Sequence, residues 1–332
     1  MDLAGTDITA SQLGFGCSAL LDEGTKNRGL RLLEVAYDEG ITYFDVARMY
    51  GDGAAELILG KFARGKRDRV VIASKFGIQP VASMLARHGR MRGAVSKLIR
   101  LSPRLRSLLR RRAISTGRFN VNDARKSLEV SLRTLATDYL DIYLLHDCSV
   151  TDPSEELLRF LEQARSEGKI RYFGLASGID EILEIGRRLP QFVGVAQFEN
   201  SILKRNLDLA ADLPGALITH GAMAGSLAAL RKSLDCNPEL SLQWSSRLGV
   251  DLMQTSELAN LMLAWAVKAN IKGPVLFHSS REDSIRDNVA AVVDNRFSAA
   301  QLDEFDRLTA AQDIFITSSN RPRGANLASS QL

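Results

Sequence analysis

Short runs of β-branched and aromatic residues alternate along this chain with longer stretches whose apolar positions recur every three or four residues. The short runs predict strands over residues 12–18, 41–46, 69–76, 139–146, 170–175, 191–197, 216–220 and 274–278. Between them the periodic stretches predict helices. Residues 26–39 carry Leu30, Leu33 and Tyr37 on one face and stop at Gly40. Further helices are read over 54–63, over 122–135 (Ala124, Leu128, Leu132 and Leu135 in register), over 154–167 before Gly168, and over 300–311. Each strand is nearly continuously apolar, which is the pattern of strands covered on both faces. Strands alternating with helices imply parallel pairing. The class is therefore α/β, and eight strands suit a closed (β/α)8 TIM barrel. The competing architecture is a doubly wound sheet, which carries a glycine-rich turn after its first strand. Here that strand is followed by CSALLDEGTK, with no such turn. The expectation is a single barrel domain over residues 1–332.

Composition narrows the picture. Hydrophobic residues at 45% and charged residues at 25% exclude a disordered or fibrous chain. No apolar run approaches the roughly 18 residues of a membrane span. The opening MDLAGTDITASQLGFG has neither a basic leader nor an apolar signal core. Cys17, Cys148 and Cys236 offer no short spacing, so neither a disulfide framework nor a metal site is indicated, and a cytoplasmic location is expected.

Charge is distributed unevenly. Residues 81–118 contain eleven Lys and Arg and no acidic residue, so a chain of net +4 is −7 elsewhere. Leu85, Leu98, Ile99, Leu101, Leu105, Leu108 and Leu109 are interleaved with those cations, broken by Gly93 and Pro103. Residues 80–118 form a long basic insertion after the third strand, with three readings. It is a solvated lid, a surface recruiting an anionic substrate or an acidic protein partner, or a contact with an anionic membrane surface. No nucleic-acid partner is expected. The polar residues 313–332 are expected to form a flexible tail.

In such barrels chemistry gathers where strands end. The polar residues there are Asp45 and Tyr50 after the second strand, Lys75 at the third and His146 at the fourth. Ser177 follows the fifth, Gln197 and His220 end the sixth and seventh, and Ser279, Ser280 and Arg281 follow the eighth. A tyrosine is a reluctant acid, with a free value of about 10. A lysine beside it favours the phenolate, and a carboxylate behind the lysine keeps it charged and aimed. Asp45, Lys75 and Tyr50 supply those parts, and His146 can orient a substrate oxygen or share the proton. The set suits protonation of a carbonyl oxygen while a hydride reaches its carbon. No side chain gives a hydride, so a nicotinamide must. With four histidines in the chain a clustered metal site fits poorly, and the strand ends offer only Asp45 to a glycosidase.

These residues lie within longer blocks. They are Tyr43-Phe44-Asp45-Val46-Ala47-Arg48-Met49-Tyr50-Gly51 with Glu56, Leu59 and Gly60, then Ser74-Lys75-Phe76-Gly77, DYLDIYLLH at 138–146, and GKIRYFG at 168–174. In order and spacing the chain resembles the aldo-keto reductase family from Gly14 to about Asn288. The texture FDVARMYGDGAAELILGKFARG is nearer its sugar (aldose) dehydrogenase branch. The resemblance implies a (β/α)8 barrel and NAD(P)(H)-dependent interconversion of a carbonyl (aldehyde, ketone or sugar) and an alcohol. Asp45, Tyr50, Lys75 and His146 match the catalytic tetrad, with Tyr50 as general acid/base. The cofactor positions it implies depart from the pattern in places. The Ser-Asn pair that holds the nicotinamide carboxamide reads Ala176-Ser177, while Gln197 matches. The stacking aromatic falls on His220. Ser279 and Ser280 match the phosphate-contacting stretch, and Asn288 the adenine contact. The basic 2′-phosphate positions read His278 and Ser284, with Arg281 as a substitute that equally suits a solvated helix face beside Glu282 and Asp283. NADP is favoured over NAD on family grounds. Trp244, in the connection 221–253, is the candidate substrate contact. The alternative class is a non-catalytic nicotinamide-binding sensor or scaffold.

Overall fold

The computed structural model describes residues 1–20, 26–79 and 118–311. The basic segment between Gln79 and Arg118 and the expected tail lie outside the described residues. Strand alternation explains the architecture: one set of side chains points into a tube and the other beneath a coat of helices. The strands are β1 (Leu13–Gly16), β2 (Tyr43–Asp45), β3 (Val71–Phe76), β4 (Leu140–His146), β5 (Ile170–Ala176), β6 (Val195–Glu199), β7 (Ala216–His220) and β8 (Val275–Phe277). They pair in chain order, all parallel, and β8 closes on β1 through Leu13–Val275 and Phe15–Phe277. The (β/α)8 barrel expected from the strand pattern is therefore the fold.

Two apolar cores follow from this alternation. Inside the tube lie Tyr43, Val71, Ala73, Ile142, Leu144, Val195, Ile218 and Leu276, closed from below by Leu3, Ile8 and Ala10 of the N-terminal hairpin. Outside it, Phe15, Phe44, Ile72, Tyr143, Leu175 and Phe198 pack under the helices. The helices are α1 (Lys26–Asp38), α2 (Ala54–Ala63), α3 (Val121–Leu135), α4 (Glu155–Ser166), α5 (Ile179–Arg188), the single turn α6 (Asn206–Leu209), α7 (Ala224–Cys236), α8 (Pro238–Leu248), α9 (Thr255–Ala269), α10 (Glu282–Val293) and α11 (Ala299–Ala310). Their starts are written in side chains. Asn120 accepts from the Asp123 amide at 2.9 Å, Ser154 from that of Leu157 at 3.2 Å, and Ser298 forms a reciprocal box with Gln301.

The sixth expected strand begins four residues too early. Residues 190–193 form a 3-10 turn with Pro190 at its first position, and β6 starts only at Val195. Proline presets the turn and lacks the amide a strand would use. The correction places Gln197 mid-strand, opposite Ala176 and Ile218. At the lower end, Asp141 accepts from Arg67 at 2.7 Å, Arg171 at 2.8 Å and the Ile72 amide at 2.9 Å, clamping β3, β4 and β5 together.

At Gly174, where β5 passes the start of β6, a side chain has no room. A Cβ on Gly174 would lie 1.9 Å from the Val195 carbonyl oxygen, and backbone cannot yield as a side-chain tip can. Gly174→Ala is expected to lower the unfolding free energy by about 2 kcal/mol or more. The measurement is the urea midpoint at constant slope, and an unchanged midpoint would refute the close approach.

Candidate active site

The same alternation that sends Tyr43, Ala73, Leu144, Val195 and Ile218 into the tube sends residues two positions further up its wall toward the mouth. Those residues are Asp45, Lys75, His146, Gln197 and His220. The first two meet in full burial. Lys75 Nζ donates to both carboxylate oxygens of Asp45, at 2.5 and 2.6 Å, and reaches the Val46 carbonyl at 3.4 Å. Burial by itself would discharge Lys75. The adjacent Asp45 charge and the Tyr50 phenol reverse that, and the ammonium is held above its ordinary value.

Tyr50 leans on this pair from the β2–α2 loop. Its ring centre is 5.4 Å from Lys75 Nζ and 6.1 Å from the His146 ring, which it meets edge-on at 89°. Immediately after it, Gly51, Asp52 and Gly53 all take positive φ (57°, 56° and 90°), a sharp turn that projects the phenol over the strand ends. The expectation that Lys75 would bring the phenol below its free value is corrected. Burial raises it, the lysine's charge and hydrogen bond pull it down, Asp45 pushes it up again, and the net shift is upward. Tyr50 is thus a protonated donor at neutral pH. Cys17 belongs to the same neighbourhood, but burial, reinforced by Asp45, holds its thiol protonated, and burial pushes the Cys148 thiol up to about 11. Both thiols are free and buried.

The remaining expected residues divide. Gln197 is 5% exposed, and its Oε1 has no hydrogen-bond partner among the described residues. A buried acceptor without a donor fits an amide-bearing ligand in the mouth. His220 is accessible but recessed. Desolvation holds its imidazole below the ordinary value, with Asp45 pulling upward and Lys75 downward. Ser177 differs from expectation: its hydroxyl accepts from the Cys148 amide at 2.9 Å and donates to the Cys148 carbonyl at 3.3 Å. It is committed to a neighbouring loop, which uses its proton and one of its two lone pairs.

Beyond β8, the Ser279 hydroxyl accepts from the Arg281 amide and donates to the Arg281 carbonyl, both at 3.0 Å, which shapes the entry to α10. The Ser280 carbonyl accepts from Arg28 of α1 at 3.0 Å, a contact across 252 positions that no local pattern signals. Arg281 is exposed and makes no ion pair among the described residues, whereas Arg286 is engaged by Glu39, Glu282 and Asp283 at 3.4–3.6 Å. Arg286 is thus paired on its helix face, while Arg281 stands in solvent. Asn288 is 8% exposed, within α10. Trp244 requires correction: it is 1% exposed in the outer core, on α8, and presents no surface to a substrate. Among the described residues no group of His, Cys, Asp and Glu is placed to hold a metal, and no helix is long and apolar enough to cross a membrane.

Comparison with known proteins accords with this geometry. Residues 12–310 match the model of the Aldo/keto reductase family. A probable aldo-keto reductase of Glycine max is 29% identical over 203 residues, 60% of this chain and 50% of the soybean protein, so the match spans about half of that relative's length. Among solved structures, aldo-keto reductase AKR11C1 of Bacillus halodurans superposes with a TM-score of 0.71 at 22% identity, covering 93% of this chain and 95% of that one. An aldo-keto reductase of Klebsiella pneumoniae, in complex with NADPH, superposes at 0.63 and 22% identity, covering 94% and 97%.

The balance at His220 is measurable. With four histidines in the chain, the His220 ring is resolvable by NMR and is expected to titrate below 6.5. Its native value lies below the unfolded one, so the stability that the neutral ring contributes is complete above the unfolded value and is lost as pH falls through the native midpoint. Lys75→Met removes the cation that lowers the midpoint and leaves the carboxylate that raises it, so the midpoint should rise. An unmoved midpoint would separate His220 from the Asp45–Lys75 pair.

Proposed function

The chain belongs to the aldo/keto reductase family, and from that premise we propose that it interconverts a carbonyl and an alcohol with a nicotinamide cofactor, Tyr50 acting as general acid/base. The observation that carries this reading is the buried Lys75–Asp45 pair set against the Tyr50 phenol. In the reducing direction Tyr50 donates its proton to the carbonyl oxygen. As the proton leaves, the phenolate forms beside a fixed ammonium, so negative charge develops where a compensating cation already stands. Asp45 holds that ammonium in place and charged. His146, edge-on to the tyrosine ring, is suited to hydrogen-bond the same substrate oxygen and fix its line of approach. In the oxidising direction the phenolate takes the alcohol proton back.

A bound nicotinamide supplies or accepts the hydride. Gln197 Oε1 would accept from its carboxamide, and the His220 ring would flank it. Ser279, Ser280, Arg281 and Asn288 would receive the adenosine end, with Arg281 the side chain suited to a 2′-phosphate. Glu282 and Asp283 already complement the N-terminal dipole of α10, which leaves selectivity for NADP to that guanidinium. The substrate class is an aldehyde, ketone or sugar. The eleven cations of residues 81–118 favour one that carries an anionic group. Arg118 donates its amide to Gly77 at 2.9 Å, so that segment leaves and rejoins the barrel at the end of β3.

A non-catalytic nicotinamide-binding barrel is the second reading, and the commitment of the Ser177 hydroxyl to Cys148 favours it. It leaves the Lys75–Asp45 pair unexplained. Desolvating two charges costs several kcal/mol per ion, and a binding scaffold gains nothing from a lysine behind a tyrosine.

Tyr50→Phe is expected to leave the fold and cofactor affinity intact and to lower turnover by a factor on the order of 10² or more. Lys75→Met should lower turnover similarly. Steady-state rates on a panel of carbonyl compounds and sugars, followed at the nicotinamide absorbance, check both variants. Near-normal turnover in either would remove Tyr50 from the acid role.

Arg281→Ala should weaken NADP binding more than NAD binding, because only NADP brings an extra phosphate for a guanidinium to pair. Fluorescence titrations with both cofactors decide the matter, and equal losses would detach Arg281 from the 2′-phosphate.

A further inference from the structure

We propose that Ser177 is a positioning residue for His146: its hydroxyl pins the turn that follows His146 and so sets where the imidazole meets the substrate oxygen. The inference rests on the role given to His146 above and assigns Ser177 a different task from the cofactor contact expected of it.

The chain reverses direction directly after β4. Asp147 takes a φ of 49°, in the left-handed region that most non-glycine residues avoid and that aspartate tolerates better than most. Two contacts help to hold the turn. The Asp147 amide donates to the Ala176 carbonyl at 2.7 Å, and the next amide, that of Cys148, donates to Ser177 Oγ at 2.9 Å. The serine hydroxyl in turn donates to the Cys148 carbonyl at 3.3 Å, so its proton and one lone pair are both spent on one residue of the turn. Ser177 also donates its own amide to the Gln197 carbonyl at 3.2 Å. A single residue thereby ties the ends of β4, β5 and β6, the strands that carry His146, Ala176 and Gln197.

Alternation explains why the hydroxyl points this way. Ala176 belongs to the apolar core inside the tube, so the next side chain turns away from the mouth and toward the neighbouring loop. Ser177 is 7% exposed and Cys148 2%, so water cannot replace a lost hydroxyl without entering a closed site, and the Cys148 amide would be left without an acceptor. His146 is the last residue of its strand, paired with Ala176 by the ladder. The turn follows it directly, so a shift of the turn moves the end of the strand that carries it. A small slip there rotates the imidazole relative to Tyr50, and misplacement of that size is felt in turnover rather than in binding.

The test compares Ser177→Ala with a shape-matched pair, Ser177→Thr and Ser177→Val, which differ in a hydroxyl against a methyl. The first readout is the His146 imidazole resonance in cofactor-free protein, assigned with His146→Gln. The second is kcat, KM and NADPH affinity. Ser177→Ala and Ser177→Val should move the His146 resonance and lower kcat by about tenfold, with NADPH affinity held within about twofold. Ser177→Thr should restore both. In the His146→Gln background, Ser177→Ala should have no further effect on kcat, because the group it positions is gone. An unmoved resonance, additive losses in the double variant, or weakened NADPH binding at unchanged kcat would each overturn the proposal. A parent protein that turns over no carbonyl compound with either nicotinamide would instead overturn the proposed function, and the imidazole resonance would still decide the role of Ser177.

Discussion

The buried ion pair between Lys75 and Asp45 is the constraint around which the upper half of the barrel is arranged. A lysine and an aspartate taken out of water are tolerable only together, and removing one partner strands the other at a cost of about 3–5 kcal/mol. Their contact distances of 2.5 and 2.6 Å leave the ammonium little freedom. That is what a tyrosine needs from the group beside it: a cation whose position does not depend on solvent. Closure of the sheet makes the site dry. The adjacent parallel strands β2 and β3 supply the two partners, Lys75 standing two residues beyond the Asp45–Ala73 pairing, and the apolar side chains of Tyr43 and Ala73 lie beneath them in the tube.

The two ends of the barrel use ions differently. At the base, Asp141 is satisfied by two arginines and an amide, and the arginines remain partly exposed, so the cluster ties strands together without leaving any group reactive. At the mouth, Gln197 Oε1 has no partner among the described residues, and desolvation holds the His220 imidazole below its ordinary value. This division matches the general behaviour of the fold, in which the lower face serves stability and the upper face serves chemistry. Ser177 stands between the two functions. It lies at the mouth, yet its hydroxyl is spent on holding a loop.

Much of this was legible in the residues, because the relevant signals are short-range. A strand buried on both faces must read as a continuous apolar run, and a helix against a barrel must repeat every three to four positions. The eight strands, their parallel order and the set Asp45, Tyr50, Lys75 and His146 follow from such runs and from the residues that end them. Errors arose where a local signal was ambiguous. The apolar residues Phe192 and Val193 read as the start of a strand, whereas Pro190 commits that stretch to a turn and β6 begins at Val195.

What tertiary structure alone decided is the direction of each polar group and the balance of opposing charges on it. Nothing in the order of residues separates a tryptophan lining a mouth from one filling a core, and Trp244 fills the core. Arg281 and Arg286 look alike along the chain, but among the described residues only the second has acids within ion-pair reach, one of them Glu39 in the turn after α1. The lysine's charge was expected to bring the Tyr50 phenol below its free value, and burial, reinforced by Asp45, outweighs that lysine once the site is assembled. Element type is set by periodicity within a few residues, so sequence determines it. Burial, hydrogen-bond choice and net electrostatics are sums over atoms that only folding brings together, and those the tertiary structure decided.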